Sequence, residues 1–207
     1  ATAIDGLSDA VSGITNFTNS LILGHQTTGT LDSADGNTGV GYAALDAITS
    51  GDNNVAVGYL SLSTLNTGHS NVAIGKSALF DNSSGYNTVA IGMDAGANQT
   101  TGFNNVAIGL SAYEGAQTGT GNTTVGAYSN DAVCTGHDNT SMGYYSFSAN
   151  TSGRDNTAIG TSALRANTTG DKNVAIGVQA LDANVGADGN VAVGFDALGA
   201  VNTADNN

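Results

Sequence analysis

The side chains able to carry chemistry are few. The chain has three histidines (His25, His69 and His137), one cysteine (Cys134), and 17 acids against 4 bases. Catalysis or metal binding would need several of these to converge. His69 and His137 differ by 137 − 69 = 68 positions, four times the 17-residue period described below. They therefore fall at the same place in coils about 19 Å apart, too far for a shared site in one chain. Three copies of one histidine could converge only on a symmetry axis. There is no Gly-x-Ser-x-Gly, no phosphate loop, no Cys-His pair, and no Gly-x-Gly-x-x-Gly opening a helix. Asp46 and Asp131 share one position of the repeat and Asp94 and Asp196 another, but the members of each pair stand five or six periods apart, which predicts no repeated calcium ladder. The expectation is a chain that is not an enzyme and has no cofactor and no metal site.

Two groups of aromatics are better placed to act. Tyr42 and Tyr59 are one period apart, as are Tyr128 and Tyr145, with Tyr144 beside the latter. Exposed aromatic ladders could stack on sugars or peptides, or pack between chains. Asn-x-Ser/Thr triplets begin at Asn16, Asn82, Asn98, Asn122, Asn139, Asn150 and Asn167. In an Asn/Thr-rich chain these arise by chance and matter only where a host glycosylates the product.

The element that must position these residues is a repeat. Glycines stand at 24, 41, 58, 75, 92, 109, 126, 143, 160, 177 and 194, a spacing of 17 with no insertion or deletion. A period held this strictly reads as a solenoid in which each repeat is one coil. Positions are numbered here as columns, with the repeated glycine at 0. Column 16 is aliphatic or Met in every coil, from Leu23 to Val193; column 14 is Val or Thr from the second anchor onward; column 15 is almost always Ala, Ser, Thr or Gly. Large, small, large at period two describes a β-strand. The expected orientation puts columns 14 and 16 in the core, with Leu of column 4. Column 15 would then face outward, making Ala56, Ala73, Ala90, Ala107, Ala158, Ala175 and Ala192 candidate contacts between chains.

Column 13 is Asn at nine positions from Asn37 to Asn190, with Thr88 the exception after Ser20. Asn stacked on Asn predicts an amide ladder at the turn entering each strand. Column 10 is Gly from Gly51 to Gly170, preceded throughout by Ser or Thr. That predicts positive φ or tight clearance at a corner. Columns 3 and 4, as in Ala78-Leu79, do not alternate, and read as either a bulged strand or one helical turn. Columns 5 to 8 are polar and variable and predict an exposed loop.

Composition bounds the rest. A hydrophobic content of 40% suffices for a core, and 30 glycines without proline exclude a proline-rich linker. A net charge of −13 disfavours nucleic acid and anionic membranes as partners. No signal peptide and no membrane-spanning apolar run is visible. Residues 1–19 precede the solenoid of 20–207. In them Ile4, Leu7, Val11 and Ile14, continued by Leu21, follow heptad spacing. They read as a short coiled-coil neck that oligomerises, or as an irregular lead-in packing on the first coil. The sequence stops at column 13, which would leave the edge of Val191–Val193 unpaired. The expectation is a longer fibre chain or end-to-end assembly, with Leu21-Ile22-Leu23 as a candidate donor strand.

The Asn-Val-Ala-Ile-Gly repeats, as at Asn71-Val72-Ala73-Ile74-Gly75, resemble the heads of trimeric autotransporter adhesins, the YadA-like heads. Similar Asn-Thr-Ala-Val-Gly repeats occur in phage and virus tail-fibre proteins, which the opening Ile4-Asp5-Gly6-Leu7 also resembles. The resemblance covers residues 20–207. It implies an all-β, left-handed parallel β-roll, three chains packed as a homotrimer, and an extracellular, cell-surface or virion-surface location. Those heads use a repeat shorter than 17, and the extra residues fall to the loop of columns 5 to 8. The implied role is a structural and adhesive fibre segment that presents binding surfaces to a host glycan or protein. Two other readings stay open: a self-assembling extracellular filament subunit, and a monomeric glycan- or ice-binding β-solenoid.

Overall fold

A computed structural model describes residues 10–14, 17–23, 32–115, 118–200 and 204–207. Its strands are β1 (Ala10–Ile14), β2 (Phe17–Leu23), β3 (Ala34–Asp35), β4 (Thr38–Val40), β5 (Val55–Val57), β6 (Val72–Ile74) and β7 (Val89–Ile91). Then follow β8 (Val106–Ile108), β9 (Thr123–Val125), β10 (Thr140–Met142), β11 (Thr157–Ile159), β12 (Val174–Ile176) and β13 (Val191–Val193). Strands β2 and β4 to β13 stack in sequence order as one parallel ladder. The register never slips: Ala73 pairs Ala90, and Ala175 pairs Ala192. This is the expected all-β parallel solenoid with one 17-residue coil per strand.

The orientation of the strands is the reverse of that expected. Ala56, Ala73, Ala90, Ala107, Ala158, Ala175 and Ala192 of column 15 are buried within the chain, while columns 14 and 16 are half-buried or exposed. The Ala row therefore cannot reach a second chain, and Ile108 is not a core residue. The reason is the width of the coil. Leu45, Leu62, Leu79, Leu164 and Leu181 of column 4 are fully buried and project from the opposite wall. A Cβ added to Gly39 of column 15 would already lie 3.4 Å from Leu45 Cδ1. With Leu filling the lumen from one side, the other side holds small residues, except in the first coil, where the buried Ile22 lies beside Gly39.

The segment after each anchor glycine is neither a bulged strand nor a helical turn. It is a run of turns in which columns 2 and 4 take positive φ, for example Ser77 (55°) and Leu79 (51°), or Ser162 (58°) and Leu164 (50°). A left-handed backbone costs a bulky residue about 1–2 kcal/mol. Complete burial of a Leu returns about 1.5–3 kcal/mol, so burial wins at column 4. Column 12 is also left-handed, and in most coils the types match the conformation, as at Asn53, Asn87, Asn104, Asp138 and Asp155, with Ser70 and Lys172 the exceptions.

The two glycine columns differ in cause. At column 0 both causes act: Gly92 has φ 134°, and an added Cβ would lie 2.5 Å from Gly109 O of the next coil. At column 10 only clearance acts, since a Cβ on Gly102 would lie 2.7 Å from Gly119 O. The period cannot drift without a backbone clash at both corners.

The amide ladder of column 13 forms as expected. Asn54, Asn71, Asn139, Asn156, Asn173 and Asn190 each donate backbone N–H and side-chain Nδ2 to the Oδ1 of the preceding coil's Asn. The Nδ2 of Asn71 also donates to the column 10 carbonyl of the next coil, Gly85 O, at 2.9 Å. At the exception, Thr88 has no amide to offer, and Gln99 takes its place. Gln99 Nε2 donates to Thr88 Oγ1 (3.1 Å) while its Oε1 accepts from Asn105 Nδ2 (3.1 Å).

The start of the chain departs from the neck reading. Val11 and Ile14 lie in β1 and Leu21 in β2, and these two strands pair antiparallel, with Val11 opposite Ile22; Ile4 and Leu7 lie outside the described residues. Leu21-Ile22-Leu23 is not a donor for another molecule, because it pairs with Thr38-Gly39-Val40 as the first rung of its own ladder.

Candidate functional site

Among the described residues there is no group of three or more His, Cys, Asp or Glu placed to hold a metal ion. No helix among them is long and apolar enough to cross a membrane. His25 lies outside the described residues. His137 serves the fold, since its Nδ1 accepts a hydrogen bond from the Thr120 backbone N–H at 3.1 Å. Column 11 repeats this device with carboxylates. Asp52, Asp171, Asp188 and Asp205 each accept from the backbone N–H of the preceding coil, at 2.7–2.8 Å. These acids share one column, the last three in adjacent coils, and each spends an oxygen on the backbone, whereas Asp46 and Asp131 (column 5) and Asp94 and Asp196 (column 2) pair up only across several coils.

The dominant surface feature is the outer face of the sheet. Columns 14 and 16 project there as two continuous ranks of Val, Ile, Thr and Met. Val40 is 41% exposed, Ile74 39%, Ile91 37% and Met142 44%. Stacked at about 4.8 Å per strand, ten coils make a strip about 48 Å long and, at three residues, about 10 Å wide. Its projected area, about 480 Å², is near the largest apolar patch of a typical monomer. Unlike most such patches it is regular and free of charge along its length. Column 1 widens it in places with Tyr42, Tyr59, Met93, Tyr144 and Phe195, all exposed.

The five candidate tyrosines form two separate groups. Tyr42 and Tyr59 stack with ring centroids 5.3 Å apart and planes 12° from parallel. Tyr128 and Tyr145 stack at 5.1 Å, and Tyr144 meets both edge-on, at 6.1 and 4.5 Å. Four coils separate the groups, about 19 Å, so they are not one site. In a ladder each ring covers its neighbour's face and shows its edge to solvent, which suits a sugar poorly except at the ends. A third ladder, His69, Tyr86 and Phe103, was missed although its members stand 17 residues apart in column 11; its centroids are 5.0 and 4.7 Å apart.

A second amide row was also missed. Column 7 holds Ile48 and Leu65 early on but Asn82, Gln99, Asn150, Asn167 and Asn184 later, and all are buried. These amides bond the column 10 corner, as in Asn150 Oδ1 accepting from Gly153 N at 2.9 Å. Apart from the exposed Val133, column 7 therefore lines the lumen wherever it is described and is not an exposed loop.

The lumen changes character midway. One apolar cluster runs from Ile22 to Cys134 and a second from Phe147 to Ala192. Between them Ser129 Oγ meets Ser141 Oγ (2.9 Å) and Ser146 Oγ (2.8 Å), and Ser141 Oγ meets Thr124 Oγ1 (3.3 Å). The Asn130 side chain is fully buried in the same stretch. Burial pushes the Tyr113 hydroxyl and the Cys134 thiol above their usual ranges. Both therefore stay protonated at neutral pH, and neither is a nucleophile.

Comparison with protein-family models, curated proteins and solved structures gave no match.

Proposed function

We propose that this chain is a non-catalytic fibre segment that self-associates through the outer face of its sheet, three parallel copies burying their apolar strips against one another. The observation carrying this reading is the strip itself: two unbroken ranks of columns 14 and 16, with exposed Val40, Ile74, Ile91, Met142 and Ile176. Covering such a face removes apolar area from water at about 25 cal/mol per Å², and small variation along the ranks lets identical rods pack in register. The count of three follows the resemblance to trimeric adhesin heads and tail fibres. The assembled rod would stand on a cell or virion surface, and the faces left uncovered would meet a host glycan or protein.

Sedimentation equilibrium tests the reading. The expected mass is three times the 20.4 kDa chain. A stable monomer at micromolar concentration would refute it. That outcome would favour a monomer binding an extended ordered surface, a reading the unslipped register of the same ranks also supports. Column 14 carries hydroxyls only at Thr38, Thr123, Thr140 and Thr157.

A further inference from the structure

Five of the seven tyrosines sit beside another tyrosine, and only those five. Tyr86 is sandwiched between His69 and Phe103, and Tyr113 is buried in the lumen. Tyr42 and Tyr59 are 46% and 49% exposed, so their stacked rings reach solvent. Each stacked pair joins adjacent coils at one column, so the backbone ladder holds the two phenols in permanent register. Positioning of this kind converts an encounter between two groups into an intramolecular event of high effective concentration. The chain has one cysteine, so an intrachain disulfide cannot form. Phenol coupling is a covalent link the sequence does permit.

We propose that Tyr42–Tyr59 and Tyr128–Tyr145 are sites of oxidative tyrosine coupling, each yielding a covalent staple between neighbouring coils. The oxidant is hydrogen peroxide acting through a haem peroxidase. Each phenol loses one electron and its hydroxyl proton to give a phenoxyl radical, with spin density on the ring carbons ortho to oxygen. Two such carbons form the new C–C bond. The hydrogen displaced from each carbon moves to its own phenolic oxygen and restores the aromatic ring. Overall two hydrogen atoms leave the pair, and one hydrogen peroxide is reduced to two waters. The half-exposed rings of Tyr42 and Tyr59 have room to slide from face-to-face to edge-to-edge contact, which the biaryl bond requires. Exposed Tyr144 packs edge-on against Tyr128 and Tyr145 and relays oxidation to them. The links lie within one chain, so they do not depend on self-association.

The test treats the full folded chain, at low concentration, with peroxidase and hydrogen peroxide. The readouts are dityrosine fluorescence, clean here because the chain has no tryptophan, and peptide mapping. An endoproteinase that cuts before aspartate cleaves at Asp46 and Asp52, and at Asp131 and Asp138. It therefore separates the members of each pair unless they are coupled. The expected products are Tyr42 joined to Tyr59 and Tyr128 joined to Tyr145, on chains that still run as monomers in detergent, with Tyr86 and Tyr113 unmodified. Tyr59→Phe should abolish the first link and spare the second. Coupled chains should also unfold a few degrees higher. Absence of dityrosine, coupling only between chains, coupling spread to Tyr86, or a Tyr42 link that survives Tyr59→Phe would each overturn the proposal.

Discussion

Replacing Asn156 by Ala removes a rung of the column 13 ladder, and the structure fixes what is lost. Asn156 Nδ2 donates to Asn139 Oδ1 (3.1 Å) and to Gly170 O (2.9 Å). Its Oδ1 accepts from Asn173 N (2.9 Å) and Asn173 Nδ2 (3.2 Å). Four hydrogen bonds at a net 0.5–1.5 kcal/mol each come to roughly 2–6 kcal/mol, and a stranded buried N–H at Asn173 favours the upper half. The Gln99 substitution beside Thr88 supplies a control within the same molecule. Asn156 and Asn167 are related as Thr88 and Gln99 are, column 13 of one coil and column 7 of the next. Asn156→Thr should therefore be costly alone and largely rescued by Asn167→Gln, whose longer amide can bridge to Asn173. Because solenoids unfold in part, the assay is hydrogen exchange at the Asn173 amide, with melting temperature as a second measure. At this chain length about 1 kcal/mol corresponds to about 2–4 °C. A cost below about 1 kcal/mol for Asn156→Ala, or no rescue in the double variant, would show that the ladder is not held by these bonds.

Ala107→Leu and Ile108→Asp test the orientation of the strand. Overpacking the buried Ala107 should cost about 1–3 kcal/mol in thermal melts, while half-exposed Ile108→Asp should leave the coil folded and weaken association; the opposite ranking would restore the discarded orientation. Cys134 should resist thiol reagents in the native protein and react on unfolding, since burial raises its pKa; fast native labelling would contradict its placement. Asp131 has its pKa raised, first by desolvation and then by the Glu114 charge, against a backbone hydrogen bond. A folded pKa above the unfolded one means the native state holds the proton more tightly, so stability rises as pH falls through the window just above the ordinary Asp range. Asp131→Asn should stabilise the protein slightly at neutral pH and remove that increment, as melts across the window would show.

The period, the strand column, the Asn ladder and the glycine corners were legible because each is a constraint repeated in every coil. A 17-residue spacing of Gly or Asn has no other simple physical cause. Which strand face is buried was not legible from columns 14 to 16 alone. Large, small, large alternates equally well in either sense, and burying the large side chains is the usual rule. The missing signal lay across the lumen. Leu79 or Leu164 in column 4 fills a narrow coil, which forces Ala90 or Ala175 opposite to be small. The left-handed backbone at those leucines could not be read from residue type, since Leu does not favour it. Column 7 looked like loop because Asn replaces Ile48 and Leu65, yet those amides are buried and bond the corner. The ladder of His69, Tyr86 and Phe103 was legible and overlooked, since chemically unlike residues share one column.

Self-association through the outer face is tested most directly by the solution mass of the wild type beside Ile74→Lys/Ile91→Lys, at matched concentration. Both side chains are exposed on the strip and outside the lumen, so the far-ultraviolet circular dichroism should be unchanged. The wild type should sediment as a trimer and the double variant as a folded monomer. A monomeric wild type, or a variant that remains trimeric, would contradict assembly through this face.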